Sequence, residues 1–149
     1  MKQIIVDIDG TISRIGERLK YLIQSPKDWD SFYGDCFDDE PIIEIVGLVY
    51  ALYLHGYKIV FCTGRRESCR DKTLAWIDRY FNSEIAKVSI LLMRENGDNR
   101  HDTVTKPELL KNAGIKLDSI AFVLEDRNVM VKKWRELGLI CLQVAEGAF

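Results

Sequence analysis

The chain has 149 residues, 47% of them hydrophobic, and a formal net charge of −2. That length suits one domain with a sizeable core and leaves little room for a second, and the near-neutral balance argues against a broad basic face that grips long duplex nucleic acid while leaving room for local basic clusters. No apolar run approaches the ~20 residues of a membrane helix and no signal segment precedes the first apolar run, so a cytoplasmic protein without membrane association is expected.

The first apolar run predicts a strand over 3–8, and it ends in Asp7-Ile8-Asp9-Gly10-Thr11. Residues two apart in extended chain point to the same side, so Asp7 and Asp9 can converge beyond the strand's C-terminal end, where open α/β sheets bind ligands. Carboxylates so close repel unless a cation or a shared proton separates them. Segment 12–40 follows, far longer than an ordinary strand-to-helix loop and carrying Trp29, Phe32, Tyr33 and Phe37. Long loops in compact domains tend to be lids or binding elements, so it is read as a short cap.

A helix is predicted next, with Asp39 as its cap, Pro41 in its first turn, Ile42, Ile45, Val49 and Leu52 in helical period, and Gly56 as its stop. The strand 57–63 then ends in Thr63-Gly64-Arg65-Arg66 before a helix over 67–81. A hydroxyl, a glycine and a guanidinium at a helix start make a good anion site. Beyond it the sequence predicts a strand over 87–93 and a helix over 106–113 that begins at Lys106-Pro107. A cation is disfavoured at that end of a helix, so an anion should lie nearby. The strand 120–125 ends in a second acidic pair, Glu125-Asp126, followed by a helix over 127–137 and a last strand over 141–144. Alternation of this kind implies a doubly wound, Rossmann-like five-stranded parallel sheet, with strand 3–8 central between 57–63 and 120–125. Four carboxylates, Asp7, Asp9, Glu125 and Asp126, would then gather at one sheet edge, and hard oxygen ligands without a His or Cys cluster select Mg²⁺ over zinc. Cys36, Cys62, Cys69 and Cys141 form no C-x-x-C pair and are read as reduced and structural.

The series Asp7-x-Asp9-Gly-Thr11, Thr63-Gly64-Arg65, Lys106 and Glu125-Asp126 resembles the four motifs of the haloacid dehalogenase superfamily of phosphatases, across essentially the whole chain. The resemblance implies that Asp7 attacks phosphorus to form an aspartyl-phosphate and that Asp9 is the general acid and base. It implies that Thr11, Thr63, Gly64 and Lys106 hold the phosphoryl group, and that Asp7, Asp9, Glu125 and Asp126 bind Mg²⁺. Asp9 can act as an acid only when protonated, which a crowded acidic site should favour. Within that superfamily, Arg94-Glu95-x-Gly97-Asp98-x-Arg100-x-Asp102-x-Val104-x-Lys106, Asp126-Arg127, and the stretch from Trp134 to Phe149 resemble the 3′-phosphatase domain of phage polynucleotide kinase/phosphatase. Arg18 falls at that family's spacing from the nucleophile, and the resemblance makes Arg18, Arg65 and Asp102 functional residues of the phosphate or substrate site. No G-x-x-x-x-G-K-[ST] loop occurs, so no kinase half is expected within this chain. Glu125 stands where the phage enzyme has Asp.

The expected activity is Mg²⁺-dependent removal of 3′-phosphate from DNA or RNA ends or from nucleotides, alongside a possible separate kinase or ligase. A 5′-nucleotidase or other small-molecule phosphatase keeps the same reaction, and the low net charge suits a small substrate, whereas Arg14, Arg18, Arg66, Arg94 and Arg100 could form a local anion-binding rim. A phospho-accepting receiver domain fits less well, since its acceptor Asp follows the third strand, where this chain has Met93-Arg94.

Overall fold

The computed structural model describes residues 2–149. Its five strands, β1 (Gln3–Val6), β2 (Lys58–Arg66), β3 (Ile90–Arg94), β4 (Ile120–Arg127) and β5 (Cys141–Gly147), form one sheet in the order β3-β2-β1-β4-β5. All neighbouring pairs run parallel. The expected central strand and its two neighbours are therefore found as read. Strict alternation divides the sheet's two faces: Ile4, Val6, Ile59, Phe61 and Leu124 enter one core cluster, while Ile5, Val60, Cys62 and Val123 enter the other.

The helices cover both faces. Val46 and Val49 of α3 (Ile43–Leu54), Trp76 and Ile77 of α4 (Arg70–Tyr80) and Ile85 of α5 (Ser83–Val88) fill the first core. On the other face, Leu110 of α6 (Asp102–Asn112) and Met130, Val131 and Trp134 of α7 (Asn128–Glu136) fill the second. The chain moves outward from β1 to β2 to β3, then returns past β1 to build β4 and β5. The order reverses beside β1, and such a switch point opens a crevice at the strands' C-terminal ends.

Four boundaries differ from the sequence reading. Residues 87–88 close α5 rather than opening a strand, because Asn82 Oδ1 accepts from Ile85 N at 2.8 Å and starts a helix there. Strand β2 runs on through Gly64-Arg65-Arg66, so Arg65 stands on a strand and not at a helix start. Helix α6 begins at Asp102, capped by the His101 ring, and Pro107 lies inside it. Asp39 caps nothing: α3 starts after Ile42 without a side-chain cap, and Asp39 is buried elsewhere. Segment 12–40 is folded, with α1 (Lys20–Ile23), α2 (Trp29–Gly34) and 3₁₀ turns at Gly16–Leu19 and Cys36–Asp38. Its Leu22, Phe32 and Tyr33 are buried in the first core. All four cysteines are unpaired and buried.

Candidate active site

Val6 lies opposite Phe61 of β2 and Leu124 of β4, so Asp7, one residue on, emerges between the ends of both neighbours. Its amide donates to Leu124 O at 3.0 Å. The chain then turns sharply, with the amides of Thr11, Ile12 and Ser13 all pointing at Ile8 O. Gly10 makes that turn with φ of +86°, and a Cβ there would sit 2.1 Å from Asp126 Oδ2. Only glycine satisfies both demands.

Three buried carboxylates meet beyond this turn. Asp7, Glu125 and Asp126 each offer an oxygen within 4.8 Å of the others. Lys106 Nζ donates to Asp7 Oδ1 at 2.7 Å and to Glu125 Oε2 at 3.0 Å. Thr11 Oγ1 lies 3.1 Å from both Asp7 Oδ2 and Asp126 Oδ1, bridging the two acids. The longer Glu125 side chain bends back on its own turn: its Oε1 accepts from the amides of Asp126 and Arg127, and Trp134 Nε1 donates to its Oε2. Three acids thus face one ammonium in a water-poor cleft. Burial, then the Glu125 charge, raise the Asp7 carboxyl well above the usual range, and the same two causes push Asp126 up to about 6. Burial opposes the Lys106 charge, yet Asp7 and Glu125 hold that ammonium firmly protonated. This excess of buried negative charge, carried by hard oxygens, fits a divalent cation.

Asp9 does not join this cluster, contrary to the four-carboxylate expectation. Arg65, with no exposure to solvent, donates to it from Nε at 3.0 Å and from Nη2 at 2.7 Å. Arg18 Nη2 adds a third bond at 2.5 Å. Both guanidiniums also reach Asp39: Arg18 Nε and Nη2 at 2.8 and 2.5 Å, Arg65 Nη2 at 3.4 Å. Ser13 Oγ donates to the same Asp39 carboxylate at 2.7 Å. Two arginines and two aspartates thereby balance. Although burial pulls the other way, Arg65 and Arg18 hold the Asp9 carboxyl well below the usual range. The expectation that crowding keeps Asp9 protonated is therefore corrected: resting Asp9 is ionised, because cations surround it. Arg18 and Arg65 direct their remaining donors at protein groups as well, Arg18 Nη1 at Phe32 O at 2.6 Å and Arg65 Nη1 at Thr73 Oγ1 at 3.1 Å.

Asp102, the first residue of α6, has a comparable part nearby. Arg94 Nη2 donates to one of its oxygens and Arg127 Nη1 to the other, the latter at 2.8 Å. Asp102 thus lines both recesses of the cleft while holding two guanidiniums beside it. A Cβ on Gly64 would meet Asp102 Oδ1 at 2.7 Å, so this glycine lets β2 and α6 approach. Thr63 Oγ1 accepts from Arg65 N at 3.1 Å.

Asp7, Asp9, Thr63, Gly64, Asp102, Lys106, Glu125 and Asp126 line one recess, of about 20 Å³, walled by Trp29, Phe32, Tyr33, Arg127 and Phe149. That is room for about one water-sized group. Trp29, Tyr33, Asp102 and Arg127 also line an outer recess of about 150 Å³ with Arg66, Arg94, Asp98, Asn99, Arg100 and His101. The Trp29 ring stacks on Tyr33 with centroids 5.8 Å apart, and the Arg127 guanidinium lies 5.9 Å from the Trp29 ring and 5.4 Å from the Phe149 ring. Of the five arginines expected as a rim, Arg66, Arg94 and Arg100 are here. Arg18 is buried with Asp9, and Arg14 lines different recesses. Asp39, Arg127 and Phe149 were not singled out as site residues by the sequence. Arg127 adjoins the Glu125-Asp126 pair and could have been, whereas nothing local marks Asp39.

Three comparisons bear on what this cleft is. The model of the polynucleotide kinase PNKP phosphatase domain matches residues 1–149. The chain is 28% identical over 137 residues to the putative bifunctional polynucleotide kinase/RNA ligase of Autographa californica nuclear polyhedrosis virus, covering 91% of this chain and 18% of that protein. Among solved structures, a chain of the Pnkp1/Rnl/Hen1 RNA repair complex is 30% identical with a TM-score of 0.81, covering 99% of this chain and 43% of that one. A haloacid dehalogenase-like hydrolase from Streptococcus pneumoniae shares the fold, with a TM-score of 0.61 at 14% identity, over 96% of this chain and 84% of that one. The chain thus spans less than half the length of the polynucleotide-processing relatives it matches. No helix among the described residues is long and apolar enough to cross a membrane. Strand order, acidic cleft and a family match over every residue converge: this chain belongs to the family of the polynucleotide kinase PNKP phosphatase domain, and its cleft is that of a haloacid dehalogenase-type phosphatase.

Proposed function

We propose that the chain is a Mg²⁺-dependent phosphomonoesterase that removes 3′-phosphate from nucleic acid ends or nucleotides through an aspartyl-phosphate on Asp7. The observation that carries this reading is the placement of Asp7, buried at the switch point with one oxygen on Lys106 and its cleft opening onto an aromatic and arginine-lined recess. Asp7, Glu125 and Asp126 would hold Mg²⁺, which when bound offsets the charge of the carboxylates and of the ester.

The chain's own residues account for the rest. Lys106 and Thr63 take phosphoryl oxygens, and Lys106, held by Glu125, presents its ammonium beside the attacking oxygen of Asp7. Asp7 then displaces the 3′-oxygen of the nucleoside, which takes a proton from Asp9. In the second half Asp9, again ionised, accepts a proton from water as the water attacks the acyl phosphate, releasing inorganic phosphate and restoring Asp7. Resting Asp9 lacks that first proton. A dianionic ester arriving beside it raises its proton affinity against the pull of Arg18 and Arg65, so proton uptake accompanies binding. Trp29 and Tyr33 supply a face on which a terminal base stacks, and Arg66, Arg94, Arg100 and Arg127 attract the backbone phosphates behind it. The larger relatives support work alongside a kinase or ligase.

The test is phosphate release from matched oligonucleotides ending in 3′-phosphate, 5′-phosphate or 2′,3′-cyclic phosphate, with 3′-nucleoside monophosphates and an aryl phosphate as controls. Preference for the 3′-phosphate is expected. Faster release from 5′-phosphate would overturn the specificity and leave the reaction class standing.

A further inference from the structure

Tyr33 of α2 keeps 7% of its surface exposed, and its ring is held from two sides. Trp29, one turn earlier and half-buried, stacks on it, and Phe32 meets it edge to face with centroids 5.2 Å apart. Arg18 Nη1 donates to Phe32 O and Arg18 Nη2 to Asp9, so one guanidinium sets the position of this turn of the cap and of the acid. The hydroxyl lacks such support. Tyr21 and Tyr53, both half-buried, donate to Asp35 at 2.6 Å and to Glu84 at 2.8 Å. The Tyr33 hydroxyl, more deeply buried, has no hydrogen-bond partner among the described residues, although a buried hydroxyl ordinarily has one. Burial, then the carboxylates of Asp102 and Asp9, raise the phenol far above its ordinary value, so it keeps its proton.

Tyr33 is one of the residues, with Trp29, Asp102 and Arg127, that line both the inner and the outer recess. On the phosphatase reading above, on which this inference rests, the phosphoryl group enters the inner recess and the nucleoside fills the outer one. The bridging 3′-oxygen therefore crosses the junction that these residues form. There Asp102 only accepts, and Arg127 has Nε on Phe149 O and Nη1 on Asp102, whereas Tyr33 offers a neutral O–H with no protein acceptor. We propose that the Tyr33 hydroxyl donates a hydrogen bond to the 3′-oxygen of the ester and is a further catalytic residue of the cleft. As an Asp7 oxygen bonds to phosphorus, the bond from phosphorus to the 3′-oxygen breaks and its electron pair stays on that oxygen. The proton that ends there comes from Asp9. Tyr33 keeps its own proton throughout, and its hydrogen bond strengthens as charge gathers on the departing oxygen, so it favours the transition state over the bound ester.

Tyr33→Phe removes that one oxygen and keeps the ring. The hydroxyl holds no protein group, so the unfolding temperature should not fall, and both proteins are assayed where thermal unfolding shows each fully folded. Steady-state rates are compared on two matched substrates, a nucleoside 3′-phosphate and its analogue with sulfur in place of the bridging 3′-oxygen. Sulfur accepts hydrogen bonds poorly and departs as a thiolate, which needs no donor. On the oxygen ester kcat should fall about tenfold to a hundredfold, the worth of a hydrogen bond to developing charge, with KM little changed. On the sulfur ester the variant should match the wild type. Equal loss on both esters, or a raised KM at unchanged kcat, makes Tyr33 a packing or ground-state binding group and overturns the proposal. A wild-type chain inert toward both esters removes the reaction and this role together, whereas an active wild type with an equally fast variant removes the role alone.

Discussion

Asp7 and Asp9 leave the same strand two residues apart, yet the fold gives them opposite surroundings. Asp7 faces two further acids and one lysine, so its charge is disfavoured. Asp9 sits between two guanidiniums that a fourth residue, Asp39, aligns, so its charge is held. In the proposed reaction one residue type would serve as a nucleophile short of positive charge in the first region and, in the second, as a proton carrier that rests ionised. Environment, and not identity, divides the labour.

Removing the first carboxylate is the harshest way to break this division. Asp7→Asn keeps the shape and forfeits attack on phosphorus, so phosphate release should fall by several orders of magnitude with unfolding little changed. Turnover near the wild-type rate in a metal-replete assay would rule out an aspartyl-phosphate at this position. Chelation attacks the same region from its charge deficit. EDTA should abolish activity and Mg²⁺ restore it, because the acidic trio repels a dianionic ester unless a cation intervenes. Zinc should substitute poorly for want of soft or imidazole ligands.

The second region is tested through Asp39, which does not itself line the cleft. Asp39→Asn leaves Arg18 and Arg65 with one carboxylate between them, an uncompensated buried charge that typically costs about 3–5 kcal/mol. A lower unfolding temperature and slower turnover on every substrate should follow, with the 3′ preference intact. Unchanged kinetics would show that Asp9 needs no help in keeping its two partners. Trp29→Ala probes the rim both regions share. Stacking predicts a kcat/KM loss on nucleotide substrates worth about 1–3 kcal/mol with aryl phosphate hydrolysis spared, whereas a packing role predicts lower thermal stability and equal loss on all substrates.

The mildest test reads both environments at once, by calorimetry of the metal-free protein against pH. Asp9 is depressed, so the stability it contributes is present above the unfolded carboxyl value of about 4 and is lost as pH falls further. Asp126 is raised to about 6, so its ionisation destabilises the fold as pH climbs from about 4 through 6. In chelator the unfolding temperature should therefore peak in the mildly acidic range, and Mg²⁺ should lift its neutral side. A steady rise from acid to neutral pH in EDTA would contradict the charge deficit at Asp7 and Asp126.

Much of this was written in local pattern. The alternating apolar runs determined the strands, their faces and the parallel class, because a strand's period of two and a helix's of 3.6 are set by a few neighbouring residues. The acids at two strand ends were legible for the same reason, since they stand where apolar runs stop, and Lys106 was legible as a cation beside Pro107, although its helix begins four residues earlier. Tertiary structure alone decided the partnerships. Asp39 meets Arg18 from 21 residues away and Arg65 from 26, and Arg127 meets Asp102 from 25. Such meetings depend on the path of segment 12–40 and on where α6 begins, and no local rule encodes either. The same holds for α3, whose apolar residues satisfy helical period all around. Only the packed fold shows which of them the core takes and which it leaves outside, because burial is a property of the neighbours a residue finds and not of its own side chain.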